Sequence, residues 1–423
     1  MKPLFRPAAR IRPALALSLC ALLAATACSG VTGNARVEAA EASGDGILRV
    51  GLVLDNTGDS SFLNAPQLAA ARLAVKDIND AGGHKGRPVE LLPVATDQDA
   101  AAQAHALVAG KADVVIGPTD SSNAEATIDV LSRARTPLIS PANTAAGLTG
   151  TDSGGYYFRT AAADVAQAPV LVKLAKDAGA ATVTVLYQEG SYGKDVSTAV
   201  SDAAEQSGLN VAATEGFTPG EAGGAAGEAA KAASDAVILI AREGAQGALA
   251  ELNNAGVAGD RIIISDGAFA RYGSTLGARA LDGARAVVPG QLPSAGFQER
   301  LLAVDGKLKD VSFAAETYDA VTLAALAAAR AEDDAGRSVT ANLISVSGGV
   351  AGAQAPAAAA CASYKECLAG LASAGVINYD GESGPVAFDD NGDITTANFM
   401  VFTYGADNIP APSGRETAGR AAS

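Results

Sequence analysis

Tryptophan is absent from this 423-residue sequence, aromatic residues make up only 4% of it, and there are two histidines, two methionines and four cysteines. Two histidines exclude a large imidazole-ligated metal centre, and four cysteines exclude a disulfide-dense scaffold. Charge is also sparse. Only 18% of residues are charged, and 31 Lys and Arg stand against 46 Asp and Glu, for a net charge of −15. That balance leaves no basic stripe to neutralise phosphates and argues against nucleic acid as a partner. Motifs of nucleotide chemistry are missing too. The turn after the first apolar run, Leu54-Asp-Asn-Thr-Gly-Asp59, lacks G-x-G-x-x-G, and Gly193-Lys194-Asp195 ends in the wrong residue for a phosphate loop. No G-x-S-x-G nucleophile elbow occurs. His84 follows a glycine pair and His105 falls in a helical stretch; both read as ordinary surface or helix residues, neither base nor ligand. No cofactor, no metal and no enzymatic activity are expected.

What is present begins with an address. Residues 1–27 carry a basic head (Lys2, Arg6, Arg10, Arg12) and an apolar stretch from Pro13 to Ala27. That stretch is shorter than the roughly 20 residues a membrane span needs, and it reads as a secretory signal. Ala25-Thr26-Ala27-Cys28 resembles the lipobox of bacterial lipoproteins, departing from it at Ala25, where Leu is most common. The expected mature chain starts at Cys28 with a lipid on its sulfur, and residues 28–46 form a flexible tether. The alternative is an ordinary signal cleaved nearby, with Cys28 incidental. Export and lipidation would place the protein on the outer face of the bacterial cytoplasmic membrane. Cys361 and Cys367, six residues apart, then read as a structural disulfide worth about 2 kcal/mol.

A chain with 48% hydrophobic residues is not disordered, and its length allows two or three domains. From Ile47 the pattern alternates apolar strand and helix. Strands are expected at 47–54, 89–94, 114–117 and 137–140, with helices near 65–81, 100–109 and 123–133. A second array starts near Asp164, with strands at 183–187, 209–213, 236–240, 261–265 and 285–288. Runs buried on both faces between helices indicate parallel sheets, here in two lobes. The tail breaks the pattern with helices near 313–332 and 338–346. Strands at 384–388 and 398–404 flank Asp389-Asp-Asn-Gly-Asp393, which reads as a hairpin turn and lacks EF-hand spacing.

Polar loops at the carboxyl ends of strands are where open parallel sheets bind ligands. Four stand out: Gly117–Asn123, Ser140–Ala145, Tyr187–Gly193 and Ser265–Gly267. The first starts a helix, so its hydroxyls and N–H groups suit either a ligand carboxylate or simple capping. Two hydroxyl-rich loops facing Tyr192 and Asp266 could grip a small zwitterion through charge-assisted hydrogen bonds.

The series Val75-Lys-Asp-Ile-Asn-Asp-Ala-Gly-Gly83, GPTDSS, ISPANTAAGLT, Tyr156-Tyr-Phe-Arg-Thr160, YQEGSYGKD and Ala315-Glu-Thr-Tyr-Asp-Ala-Val321 resembles substrate-binding lipoproteins of branched-chain amino-acid ABC transporters. These are type I periplasmic binding proteins, the leucine/isoleucine/valine-binding family. The resemblance covers about Ile47 to Tyr404. It implies an α/β, type I periplasmic-binding-protein fold with two Rossmann-like lobes and three hinge crossovers near 160, 288 and 378. Lobe I would be 47–160 plus 289–378, lobe II 161–288 plus 379–406, and 407–423 a flexible tail. It further implies a carboxylate site at Ser121 and Thr144. The ammonium would go to the Ala142 carbonyl, Thr144 and Asp266 (here in place of Glu), with Tyr192 as a cover. Asp120, Arg242 and Phe62 depart from the leucine-type pattern and suggest a pocket for a polar or charged amino acid or small amide; the alternative has Asp120 and Arg242 pointing away. The implied function is capture of a small solute and delivery to an ABC permease by a membrane-anchored monomer. A ligand-sensing lipoprotein of the same fold, or an exported hydrolase, are the other readings.

Overall fold

The computed structural model describes residues 33–56, 59–349 and 359–419. Cys28 and the signal segment 1–27 lie outside the described residues.

Short apolar runs become strands buried on both faces. The first half contains β1 (Arg49–Leu52), α1 (Asn64–Asp80), β2 (Glu90–Leu91), α2 (Ala100–Ala109), β3 (Val114–Ile116), α3 (Ala124–Arg133), β4 (Leu138–Ser140) and β5 (Tyr157–Arg159). They make a parallel sheet in the order β2-β1-β3-β4-β5. Asp99 caps α2 by accepting from the Ala102 N–H at 2.8 Å.

The second lobe runs through α4 (Ala168–Asp177), β6 (Thr182–Gln188), α5 (Ser191–Gln206), β7 (Asn210–Phe217), α6 (Gly223–Lys231), β8 (Ala236–Ile240), α7 (Ala245–Asn254), β9 (Ile262–Ile264) and β10 (Arg285–Pro289). The chain then returns to the first lobe as α8 (Ala295–Val304), α9 (Ala314–Ala331), α10 (Gly336–Val346), β11 (Ala359–Cys361), α11 (Tyr364–Ala374), β12 (Ile377–Gly381) and β13 (Gly384–Pro385). It ends in the second lobe with β14 (Thr396–Tyr404) and β15 (Pro410–Gly419), completing a sheet ordered β15-β14-β10-β9-β8-β6-β7. The alanines of α9 are buried around most of its circumference, which lets it pack closely with α1 and α10 in the lobe I core.

Several expectations need correction. The third crossover falls after Phe388, not near 378, because Ile377, Tyr379, Val386 and Phe388 all belong to the lobe I core. The two strands placed around 389–393 do not form a hairpin with each other. A single antiparallel bridge, Phe388 to Ile394, closes the turn, and the Asp389 carboxylate accepts from the N–H groups of Asn391 and Asp393. The segment expected as a flexible tail from 407 contains β15, an exposed polar edge strand paired with β14 from Thr396↔Gly419 to Tyr404↔Pro410. Nor are residues 33–46 a free tether. The Gly44 N–H donates to Asp333 Oδ1 at 3.0 Å, Gly46 N–H to Asp334 Oδ1 at 2.8 Å, and Ala35 N–H to the Gly154 carbonyl at 2.9 Å. Buried carboxylates on the α9–α10 turn need donors, and this segment supplies them. His84, expected at the surface, is buried 3.8 Å from Asp334.

Cys361 and Cys367 are bonded, at S–S 2.05 Å. The loop between them also starts α11: Ser363 accepts from the Glu366 N–H, and the Glu366 carboxylate accepts from the Ala362 N–H. This reciprocal cap and the disulfide staple the same turn.

Candidate ligand-binding cleft

The loops at the carboxyl ends of β3 and β4 are locked to each other by buried polar side chains. Gly117 has φ +116°, and a β-carbon there would sit 2.1 Å from the Val53 carbonyl, so only glycine lets the loop leave β3 in this direction. Asn143, fully buried, donates its amide to the carbonyls of Pro118 and Thr119, both at 3.1 Å, and accepts from the Tyr157 hydroxyl at 3.2 Å. Ser140 Oγ donates to the Pro118 carbonyl at 2.8 Å. From behind, Arg159 donates to the Ala145 carbonyl at 2.8 Å while its other nitrogens hold Asp393 at 2.6 and 2.9 Å. The Ala142–Ala145 loop is therefore fixed from two sides.

The other lobe brings three loops to the same place. Tyr192, in the first turn of α5, donates to Asp266 Oδ1, which also accepts from Gln167 Nε2 at 2.6 Å. Gln167 Oε1 accepts from the Asp266 N–H at 3.1 Å. Arg242 leaves the end of β8 with its backbone N–H and that of Glu243 held by Gln188 Oε1 at 2.8 and 2.7 Å. Its guanidinium lies 4.2 Å from the centre of the Tyr192 ring and donates to both oxygens of Asp164 at 3.0 and 2.9 Å. A guanidinium over a ring face that also pairs with a carboxylate suits arginine better than lysine. A β-carbon at Gly267 would fall 2.6 Å from Arg242 Cγ, so the glycine after Asp266 makes room for this side chain.

A cavity of about 440 Å³ lies between the lobes, its wall built partly from all three crossovers. Ala142, Thr144, Arg242 and Asp266 line it, which brings four of the eight expected ligand residues together. Tyr192 stands just behind, between Arg242 and Asp266. Ser121 does not reach the cavity: its Oγ accepts from the N–H groups of Thr144 and Ala145 at 3.2 and 3.3 Å. Asp120 caps its own turn by accepting from the Ser122 N–H at 2.8 Å. The buried Asp55 carboxylate takes the Asp120 N–H and the Asn123 amide, both at 2.7 Å, so those loop donors are already engaged. Phe62 is 62% exposed and away from the cavity wall. Sequence reasoning missed Gln167 and Asp164, and it gave no role to Gln188 or Glu316, although both fall in runs it singled out, Tyr187–Gly193 and Ala315–Val321.

Burial pushes the Asp164 carboxyl up to about 7 against the pull of Arg242, with Asp266 adding to the rise. Burial does the same for Glu316, on the cavity wall, and for Asp113, both to about 7, and for Asp319 to about 6. These four acids hold protons in the folded chain that the unfolded chain releases near pH 4, so stability falls as pH rises from about 4 through 7. Buried His84, whose pKa is lowered, acts oppositely below its ordinary 6.5. The acids outnumber it. Thermal melts are expected to show a midpoint that falls as pH rises from about 4, lower by roughly 5 °C at pH 8 than at pH 5. A midpoint that climbs steadily to pH 8 would contradict these assignments.

Comparison with known proteins agrees with this architecture. Residues 47–365 match the family model described as periplasmic binding protein. A leucine-, isoleucine-, valine-, threonine- and alanine-binding protein from Pseudomonas aeruginosa is 31% identical over 180 residues, covering 41% of this chain and 48% of that protein. The chain thus spans about half the length of that relative. BasB, a chemotactic signal transduction system substrate-binding protein from Halobacterium salinarum, is 28% identical over 312 residues, 71% of this chain and 74% of BasB. The crystal structure of a leucine-binding protein from Thermotoga maritima shares the fold, with a TM-score of 0.59 at 18% identity over 87% of this chain and 98% of that one. Two hinged α/β lobes, a cavity between them and a family match across most of the sequence lead to one conclusion: the chain belongs to the periplasmic binding protein family.

Proposed function

We propose that this protein is an extracytoplasmic solute-binding lipoprotein that captures an amino acid or similar small polar solute between its lobes and delivers it to an ABC permease. The observation that carries the reading is the convergence of Thr144 from lobe I with Arg242 and Asp266 from lobe II on one interlobe cavity. An amino acid has a carboxylate for Arg242 and the Thr144 hydroxyl, and an ammonium for Asp266 and the Ala142 carbonyl. In this scheme the three crossovers act as a hinge. Closure excludes water and strengthens each charge-assisted bond, and the solute favours the closed form by its extra contacts there. The lipid on Cys28 would keep the loaded protein near its permease, two acyl chains sufficing for stable anchoring. The similarity to BasB, over most of both chains, supports a second reading in which the closed form reports to a signalling partner.

Titration calorimetry across the common amino acids tests the reading. One solute class is expected to bind at a single site with a dissociation constant of about 1 μM or tighter. Absence of binding for every amino acid and small amide, or turnover of a hydrolysable ester or amide, would contradict it.

A further inference from the structure

The cavity wall carries charged side chains from both lobes together with apolar ones. Arg242 and Asp266 offer one cation and one anion, and the cation is already paired with the buried Asp164. On the same wall stands Glu316, in the first turn of α9, a position where the helix dipole favours a carboxylate. Its carboxyl lies beside the second crossover, where a β-carbon on Gly290 would come within 3.4 Å of Oε1. Asp319, one turn further along α9, adds negative charge behind it and is itself held by Tyr379, Ser383 and the Glu382 N–H. No ion pair forms on Glu316 among the described residues, and Arg242 is the only cationic side chain on the cavity wall. The wall also holds apolar side chains, among them Val288, Leu292, Val311, Met400 and Phe402, beside neutral polar ones such as Gln291 and Asn398. The wall therefore carries more acid than base, with the unmatched acid on α9 beside the second crossover.

We propose that the solute is a basic amino acid or a close diamino or guanidino carboxylic acid, whose distal cation is read by Glu316. This deepens the solute-binding reading above and rests on it. The α-carboxylate meets Arg242, the α-ammonium meets Asp266, the methylene stem lies along the apolar wall, and the terminal cation supplies Glu316 with its missing partner. A branched aliphatic amino acid fills the apolar part but leaves a half-buried carboxyl without a cation. Glu316 is thus a specificity residue and not part of the general amino-acid grip.

Calorimetry on the wild-type chain at pH 8 separates the possibilities, with lysine, ornithine and arginine set against norleucine and citrulline as uncharged counterparts. Lysine is expected to bind at least tenfold tighter than norleucine, and arginine at least tenfold tighter than citrulline. Glu316→Gln should bring both ratios close to one, with α-carboxylate and α-ammonium recognition retained. Norleucine binding as tightly as lysine in the wild type overturns the proposal but leaves the solute-binding reading standing. A tenfold preference that survives Glu316→Gln also overturns it. If no member of either set binds and no other amino acid does, both readings fall together.

Discussion

Arg242→Ala is expected to weaken solute binding by about 100-fold or more. Truncating one partner of a buried, hydrogen-bonded charge pair costs about 2–5 kcal/mol in binding, and each 1.4 kcal/mol is tenfold. The guanidinium does three things at once: it lines the cavity, stacks on Tyr192 and pairs with Asp164. Its loss leaves Asp164 buried without a cation. Because Asp164 is buried, the melting midpoint should fall too, but by less than for a fully buried pair, since the Arg242 side chain is itself about half exposed. Arg242→Lys keeps the charge but loses the guanidinium over the Tyr192 ring, so an intermediate affinity is expected. Calorimetry with the tightest natural ligand, alongside a melt, makes the comparison. An affinity within twofold of wild type in Arg242→Ala would remove this residue from the site.

The largest stability effect is expected at Arg159→Met, which keeps the length and removes the charge. Arg159 is fully buried and holds Asp393, the Ala145 carbonyl and the Thr149 hydroxyl. Removing one member of a buried ion pair costs about 3–5 kcal/mol, because the carboxylate left behind has been taken out of water. Denaturant unfolding should show that loss as a lower midpoint. Solute affinity should fall as well, since the same side chain braces the loop that carries Thr144. It also ties that loop to the third crossover, so the variant bears on both site and hinge. A stability change below about 1 kcal/mol would show that the pair contributes little net energy.

The sequence was most readable where burial on both faces forces an uninterrupted apolar run. Ala236–Ile240 and Ile262–Ile264 are such runs, and the structure makes them β8 and β9 within a residue or two of their expected limits. Asp99 and Gly110 bracket α2 as cap and stop, and its bounds were equally plain. β15 was not readable. Its composition, Pro-Ala-Pro-Ser-Gly-Arg-Glu-Thr-Ala-Gly, has no apolar face, and it is a strand because β14 offers it a free edge. Edge strands held mainly by backbone hydrogen bonds leave little pattern behind.

The site divides the same way. Thr144, Arg242 and Asp266 sit in polar loops at strand ends, and topology alone sends such loops to the interlobe gap. Whether a side chain there faces the gap or its own backbone depends on neighbours far away in sequence. The Asp120 carboxylate turned to the Ser122 N–H of its own turn, while Ser121 turned to the distant Thr144–Ala145 backbone. Gln167 was invisible, and Gln188 was seen only as part of its loop, because a glutamine that orients a loop has no local spacing to betray its role. Arg159 stood in a conspicuous motif, yet its partner Asp393 is 234 residues further along the chain.

Small-angle X-ray scattering of the purified chain, with and without a saturating amount of its tightest-binding amino acid, tests the capture mechanism most directly. The account predicts a smaller radius of gyration and a shorter maximum dimension in the loaded wild type, and neither change in Arg242→Ala at the same solute concentration. Identical scattering from the empty and fully loaded wild type would contradict closure of the lobes on a trapped solute.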